Sequence, residues 1–368
     1  MIKIVTVAGN RPQFIKLAPV SAEIQKKFSQ VIVHSGQHYD YNMSDIFFSQ
    51  LDIRRPDYNL NVSEKSHAVQ TAKILVEIEK ILLAEKPELI IVFGDTNTTL
   101  AAALAAVKLH IPIAHIEAGP RMRDYCESPE EANRLMTDHI SHLLFAPTKA
   151  CADNLKNESV FGSVYFSGDT MYDTFVKMKN TFRSPEATEK FEKIKCFAEG
   201  DYVLMTLHRP LNVDDPRRLE TIMKAVMDCG EKIIFPAHPR TREMMKRCRS
   251  YEKFSAHSNV TLIEPQGYIE LGALQSRCKK IVTDSGGVAK EAYFNQKPCV
   301  TVYPMTPWPE TFEAGCNTVL SNLSAASLAA AISRREISLD FTGNFFGNGK
   351  SASYIVKKIE KFIAARRK

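Results

Sequence analysis

The stretch Leu89-Ile90-Ile91-Val92-Phe93-Gly94-Asp95-Thr96-Asn97-Thr98 decides the fold. Five consecutive apolar residues without polar alternation describe a strand buried on both faces. A glycine turn then leads into Thr98–Leu109, whose apolar spacing is helical. The same unit recurs through the first half of the chain. Ile2–Ala8, Val31–His34, Pro112–Ile116 and Leu143–Ala146 are short apolar runs, and Ser66–Lys86 is a long segment of helical period. Such strands, joined by helices, predict a parallel sheet covered on both sides. The pattern restarts at Tyr202–Leu207 and continues through Lys232–Pro236, Val260–Ile263, Lys280–Thr283 and Pro298–Tyr303. Between the two sets, the charged region Thr181–Asp201 has no strand signal and marks a boundary zone. The expectation is an α/β protein of two doubly wound, Rossmann-like domains facing a cleft, residues 1–170 and 171–353.

Composition agrees. The 368 residues fit two domains of roughly 100–200 residues each. With 44% hydrophobic and 24% charged residues, disorder and fibrous repeats are excluded. The net charge of +6, from 48 basic and 42 acidic residues, suits a small anionic ligand. No Lys/Arg run forms a nucleic-acid footprint, and Arg366-Arg367-Lys368 reads as a solvated helix end. The eight cysteines, at 126, 151, 196, 229, 248, 278, 299 and 316, form no C-x-x-C pair. The expectation is therefore a reduced, cytoplasmic protein without disulfide framework or zinc site. No signal peptide and no apolar run of about 18 residues is seen, so no membrane association is expected.

In doubly wound sheets, ligands bind beyond the carboxyl ends of the strands, so the residues just past each strand are informative. Gly9-Asn10-Arg11-Pro12-Gln13 comes after the first, Gly94-Asp95-Thr96 after the third, and Glu117-Ala118-Gly119 with Arg121, Arg123 and Asp124 after the fourth. In the second half the strands run into His208-Arg209, His238-Pro239-Arg240 and Asp284-Ser285-Gly286-Gly287. Ser285, Gly286 and Gly287 open a helix, where backbone N–H groups and the positive helix end suit a phosphate. A plain helix cap is the competing account, and Glu291, two turns on, tips the balance by its reach to a ribose. There is no Walker loop and no G-x-G-x-x-G, which speaks against ATP hydrolysis and NAD binding.

Arg11 and His208 end the first strand of each half and can meet one diphosphate if the sheets face each other. Taken singly, they read as a surface ion pair and a capping histidine. Asp95, Glu117 and Glu130 each lie beyond a strand or at a helix start, and Glu130 shares a helix face with Arg134 at i, i+4. Three acids beside a phosphate are costly unless some are protonated, a condition suited to proton transfer at carbon. His34, His38, His115, His139 and His142 share no metal-ligand spacing and read as structural, and Trp308 stacks on a ligand or packs in the core.

These residues together resemble the non-hydrolysing UDP-N-acetylglucosamine 2-epimerases over essentially the whole chain. The resemblance is carried by Arg11-Pro12, Gly36-Gln37-His38, Gly94-Asp95-Thr96 and His115-Ile116-Glu117-Ala118-Gly119. It continues with Pro129-Glu130-Glu131-Ala132-Asn133-Arg134, His208-Arg209, His238-Pro239-Arg240 and Asp284-Ser285-Gly286-Gly287 with Glu291. It implies the glycosyltransferase-B fold, with the last helix, about 354–368, returning to the first domain. It implies loss of the C2 proton as the C1–O bond to UDP breaks. The resulting 2-acetamidoglucal and UDP then recombine with the proton returned to the opposite face, in the service of cell-surface polysaccharide synthesis. Asp95, Glu117 and Glu130, with His208, match the catalytic groups; which carboxylate serves which face is open. Arg11, Lys16, Arg134, His238, Ser285, Gly286 and Gly287 match substrate and diphosphate contacts, Glu291 the ribose contact, and Tyr268 the turn near the uracil. A homodimer is implied; no cofactor or metal is.

The chain also departs from the family pattern. The first motif, commonly Gly-Thr-Arg-Pro-Glu, is Gly9-Asn10-Arg11-Pro12-Gln13, and the bacterial His-Arg-Arg-Glu-Asn is His208-Arg209-Pro210-Leu211-Asn212. Gln37-His38-Tyr39-Asp40 and Pro210 replace parts of the stretch where bacterial members hold a second, activating UDP-N-acetylglucosamine. Pro307-Trp308-Pro309-Glu310, with Arg11-Pro12-Gln13-Phe14-Ile15-Lys16, looks more like the branch acting on UDP-2,3-diacetamido-2,3-dideoxyglucuronate. Its extra C6 carboxylate wants a cation, for which Arg123 is the candidate. Both sugars stay open, as do three rivals: a UDP-sugar glycosyltransferase, a hydrolysing epimerase and a non-catalytic nucleotide-sugar binder.

Overall fold

A computed structural model of the chain describes residues 2–36, 41–123, 128–335 and 339–367, without the side chains of 41–45. Gln37, His38, Tyr39, Asp40, Asp124 and Cys126 lie outside the described residues. The chain forms two compact units, Met1–Lys177 with Asn344–Lys368, and Met178–Gly343.

The first unit is built on β1 (Lys3–Ala8), β2 (Ser29–His34), β3 (Tyr58–Asn59), β4 (Leu89–Phe93), β5 (Ile113–Ile116), β6 (Leu143–Ala146) and β7 (Ser163–Phe166). They form one parallel sheet in the order β3-β2-β1-β4-β5-β6-β7. β4 is buried throughout, as its unbroken apolar run requires. On one face, Val5, Val7, Ile90 and Val92 pack with Ile74 and Ile78 of the helix His67–Glu85 and with the alanine run of the helix Asn97–Lys108. Alanines permit a close helix–sheet approach while favouring the helix itself. That helix starts at Thr96, whose hydroxyl accepts from the Thr99 N–H while the Thr99 hydroxyl accepts from the Thr96 N–H.

The last helix, Ser351–Arg366, belongs to this unit and packs on the helix Arg11–Ile24 through Ile355, Val356, Ile359 and Ile363. Its first N–H groups, of Ser351 and Ala352, donate to the Asp173 carboxylate at 3.0 and 2.7 Å. Burial pushes the Asp173 carboxyl up despite those bonds.

The second unit holds β8 (Val203–Thr206), β9 (Ile233–Pro236), β10 (Val260–Ile263), β11 (Lys280–Thr283), β12 (Cys299–Thr301) and β13 (Asn317–Val319). They too are all parallel, in the order β10-β9-β8-β11-β12-β13. One face carries Val203, Met205, Phe235 and Val282 against Leu219, Ile222 and Val226 of the helix Pro216–Asp228. The other carries Leu204, Ile234 and Ile281 against Leu274, Ala289 and Ala292. The region Thr181–Asp201 forms short helical turns within this unit, with Phe182, Phe191 and Phe197 buried. Both sheets are Rossmann-like, as expected.

The strands absent from the sequence reading are β3, β7 and β13, each an edge of its sheet. An edge strand need not be apolar on both faces. β7 is partly exposed along its whole length, and β13 begins Asn317-Thr318. The seven described cysteines are free thiols. Burial pushes Cys278 and Cys299 up to about 12, so they behave as small apolar side chains. Among the described residues, no helix is long and apolar enough to cross a membrane.

Candidate active site

Each sheet reverses its strand order once, between β1 and β4 in the first unit and between β8 and β11 in the second. The carboxyl ends of strands flanking such a reversal leave a crevice where ligands bind. The structure places Arg11 and Asp95 beyond β1 and β4, and His208 and Ser285 beyond β8 and β11.

In the first unit the β1 turn is tied to the β4 turn by Gln13, which is 1% exposed. Its Oε1 accepts from the Gly9 N–H at 2.6 Å, and its Nε2 donates to the Phe93 carbonyl at 2.7 Å and the Thr99 hydroxyl at 2.9 Å. A glutamate here has no donor for the Phe93 carbonyl and sets a buried charge against it. Gln13→Glu is expected to destabilise the protein by about 1–3 kcal/mol, read as a lower midpoint in chemical denaturation. An unchanged midpoint would show that the amide tie is dispensable. Arg11, on the same turn, is partly buried, with its guanidinium 5.4 Å from the Phe47 ring centroid.

Asp95, Glu117, Lys16 and Arg134 come together in one network. Lys16 Nζ lies 2.7 Å from Glu117 Oε1, both side chains being 7% exposed. Arg134 Nη2 reaches Asp95 Oδ2 at 2.5 Å and Glu117 Oε1 at 3.5 Å. Burial opposes the charge on Arg134, but Asp95 and Glu117 outweigh it and raise its pKa further. Two acids thus face two cations, and the cost foreseen for clustered carboxylates is met by Lys16 and Arg134. The backbone is shaped for this. Gly94 has φ +62°, and a Cβ there would stand 3.2 Å from Lys16 Nζ. Glu117 itself has φ +65°, a strained choice for a non-glycine residue, held by N–H donation from Glu117 and Ala118 to the Phe145 carbonyl.

Glu130 stands apart from this network. It is exposed in the first turn of the helix Pro129–Ile140 and accepts from the Ser128 hydroxyl at 3.1 Å. Arg134 turns to Asp95 and Glu117 rather than to Glu130. Sequence reasoning assigns no role to Glu131, whose buried carboxylate accepts from the Met122 and Arg123 N–H groups, each at 3.0 Å. Nothing in its spacing separates it from Glu130. Arg123 is exposed at φ +59°.

In the second unit the organising residue is Asp284, a member of the strand-end motif to which the sequence alone assigns no task. Its fully buried carboxylate accepts from the N–H of His208 at 3.1 Å, the N–H of Arg209 at 2.9 Å and the Asn212 amide at 3.0 Å. His208 Nδ1 lies 3.1 Å away, and 54% of the His208 side chain remains exposed. Burial alone would push the Asp284 carboxyl up. The His208 ring and these donors outweigh burial and hold it below the usual carboxylate range. Ser285 caps the helix Gly286–Phe294, accepting from the Val288 N–H at 3.4 Å. The Trp308 indole N–H donates to the Gly286 carbonyl at 2.9 Å, so the lone tryptophan braces the glycine turn. Lys290 lies 4.3 Å from the centroid of that same ring.

Glu291 is 5% exposed and accepts from the Gln275 amide at 2.7 Å. Tyr268 begins the helix Tyr268–Arg277, its ring 4% exposed and edge-on to Phe182. His238 caps the helix Pro239–Lys246 and is itself exposed. The second unit therefore offers a helix N-terminus, a half-exposed imidazole and a buried acid. The first offers a carboxylate pair gripped by two cations. The former arrangement suits an anionic diphosphate, the latter proton transfer.

Comparison with known proteins gives the family. Residues 22–360 match the family model described as UDP-N-acetylglucosamine 2-epimerase. A Methanococcus maripaludis protein named UDP-N-acetylglucosamine 2-epimerase homolog is 46% identical over 97% of this chain and 99% of its own length. The UDP-2,3-diacetamido-2,3-dideoxy-D-glucuronate 2-epimerase of Pseudomonas aeruginosa is 40% identical over 98% of this chain and its whole length. The crystal structure of the Methanocaldococcus jannaschii UDP-GlcNAc 2-epimerase, in complex with UDP-GlcNAc and UDP, superposes with a TM-score of 0.89 at 38% identity. That match covers 98% of this chain and 100% of the other. On its sequence and its fold, this chain belongs to the UDP-N-acetylglucosamine 2-epimerase family, a family of isomerases.

Proposed function

We propose that the protein interconverts UDP-N-acetylglucosamine and UDP-N-acetylmannosamine without hydrolysis, in the cytoplasm, for cell-surface polysaccharide synthesis. The observation that carries this reading is the Asp95–Arg134–Glu117 cluster at the strand ends, two carboxylates beside one guanidinium. In this reading the C2 proton is taken as the C1–O bond to UDP breaks, giving a 2-acetamidoglucal, and UDP adds back with the proton delivered to the other face. Asp95 and Glu117 move the proton, with Glu130 as a third carboxylate. Arg134 and Lys16 keep the pair's charge in balance near the sugar. The leaving diphosphate is met by His208, the N–H groups of Ser285, Gly286 and Gly287, and Arg11, with His238 beside them. Glu291 takes the ribose, and the uracil lies at the Tyr268 turn.

A second substrate reading has its own support. The Pseudomonas aeruginosa relative is named for the diacetamido uronate. Trp308, which stands in the segment that differs from the common family pattern, braces the Gly286 turn. In that reading Arg123 meets the C6 carboxylate.

Incubation in heavy water with each UDP-sugar tests both. Deuterium at C2 of the intact UDP-sugar is expected, and the faster substrate identifies the branch. Release of free N-acetylmannosamine would point to a hydrolysing enzyme, net transfer to an acceptor would point to a glycosyltransferase, and no exchange would reject epimerisation.

We also propose a homodimer, with one exposed helix face as its contact. The helix His67–Glu85 buries one apolar stripe, yet Val69, Val76 and Leu83 form a second, each 44–56% exposed at seven-residue spacing. That spacing suits contact between helices of two copies. The double variant Val76→Glu, Leu83→Glu is expected to sediment as a monomer where the native chain sediments as a dimer. A dimer in both would place the interface elsewhere.

A further inference from the structure

We propose that His115 is a buried, doubly protonated positioning residue that fixes the Asp95 turn; its catalytic consequence rests on the epimerase reading above. His115 lies in β5 with no exposed surface. Its Nδ1 is 2.7 Å from Asp138 Oδ1, and its Nε2 is 2.7 Å from the Gly94 carbonyl oxygen. A carbonyl oxygen accepts only. Asp138 accepts as well: Arg121 Nη2 and the Gly119 N–H both donate to its other oxygen, and the adjacent guanidinium favours the charged carboxylate against burial. A neutral imidazole has one N–H and would leave a ring lone pair pointing at an oxygen. With both neighbours acceptors, both ring nitrogens carry protons.

The surroundings are built for that cation. Asp138, from the helix Pro129–Ile140, also accepts from Arg121 Nη2 at 2.7 Å and from the Gly119 N–H at 3.2 Å. Arg121, from the loop after β5, is itself forked onto Glu158 at 2.8 and 2.7 Å. With His115 charged, four cations (Lys16, Arg134, His115 and Arg121) stand against four acids (Asp95, Glu117, Asp138 and Glu158).

Position explains the use. The Gly94 N–H donates to the Ile116 carbonyl at 2.9 Å, the His115 ring takes the Gly94 carbonyl, and the Asn133 amide takes the Asp95 carbonyl at 3.0 Å. The peptide leading into Asp95 is thereby held from both ends before Arg134 meets its side chain. His115 also sits two residues before Glu117 on the same strand end. It links the two carboxylate-bearing turns from a position with no exposed surface.

Neutron diffraction on the native chain at neutral pH, or proton-coupled 15N spectra of histidine-labelled protein, reads the protonation directly. Two N–H protons on His115 are expected; one would overturn the proposal. His115→Gln, which keeps one donor and one acceptor, is expected to lower kcat about 100-fold, the size of effect a misplaced reacting group produces, with UDP affinity within twofold. A folded variant with native kcat would also overturn it. If that variant does not fold, Asp138→Asn makes the same test, with kcat lowered and one His115 proton lost; both unchanged would overturn it. Should the native chain exchange no C2 proton, the epimerase reading fails, while the protonation measurement still decides the state of His115.

Discussion

Asp95→Asn and Glu117→Gln are each expected to lower the rate of C2 deuterium incorporation by about 10²–10⁴-fold, the span that a positioned acid or base contributes. UDP affinity should stay within twofold, because the groups proposed to hold the diphosphate lie mainly in the second unit. The two variants should differ in stability. Asp95 is 26% exposed, so its amide costs little, whereas Glu117→Gln leaves Lys16 beside a neutral group in a site that is 7% exposed. A lower denaturation midpoint for Glu117→Gln, near the native value for Asp95→Asn, is therefore the expected pattern. Exchange at the native rate in both would remove the pair from the reaction.

Asp284→Ala is expected to have the largest effect in the second unit. It strips the acceptor from two backbone N–H groups, the Asn212 amide and the His208 ring in a fully buried position. Breaking a buried charged centre of this kind costs about 3–5 kcal/mol, and the turns it holds are those proposed to meet the diphosphate. UDP affinity should fall alongside the unfolding midpoint. The pH dependence has a definite sign. A carboxyl held low in the folded state contributes stability above its unfolded pKa of about 4, and that contribution is lost as pH falls toward the folded value. The native chain should therefore lose stability on acidification more steeply than Asp284→Ala between about pH 4 and lower values. Parallel curves would show that Asp284 carries no such linkage.

How far the sequence alone was legible depends on the task of each residue. Central strands announce themselves because burial on both faces demands unbroken apolar runs, as in Leu89–Phe93 and Lys280–Thr283. β3, β7 and β13 do not, because an edge strand tolerates Asn59, Ser163 and Thr318. The strand ends exposed Asp95, Glu117, His208 and Ser285 as candidates, since the rule of ligand position needs only the strands. Partners were another matter. Helical spacing points Arg134 at Glu130, yet it reaches Asp95 and Glu117, contacts set by packing across strands. Asp284 and His115 are buried and hydrogen-bonded to the backbone of turns. A sequence shows their types but not which oxygens stand at hydrogen-bond distance from His115 Nδ1 and Nε2. The network that orients these carboxylates became visible only with coordinates.

The capping of the final helix by Asp173 bears on how the molecule is made. The helix that covers the Arg11–Ile24 layer of the first sheet is made only after the entire second unit. At ~5–20 residues per second, the nascent first sheet waits on the order of ten to forty seconds with that apolar seam uncovered. During synthesis the second unit is the one able to finish first, and the earlier-made half is the one that needs shelter. A chain cut short before Ser351 should accordingly be a client of chaperones, because its N-terminal half never receives its closing piece.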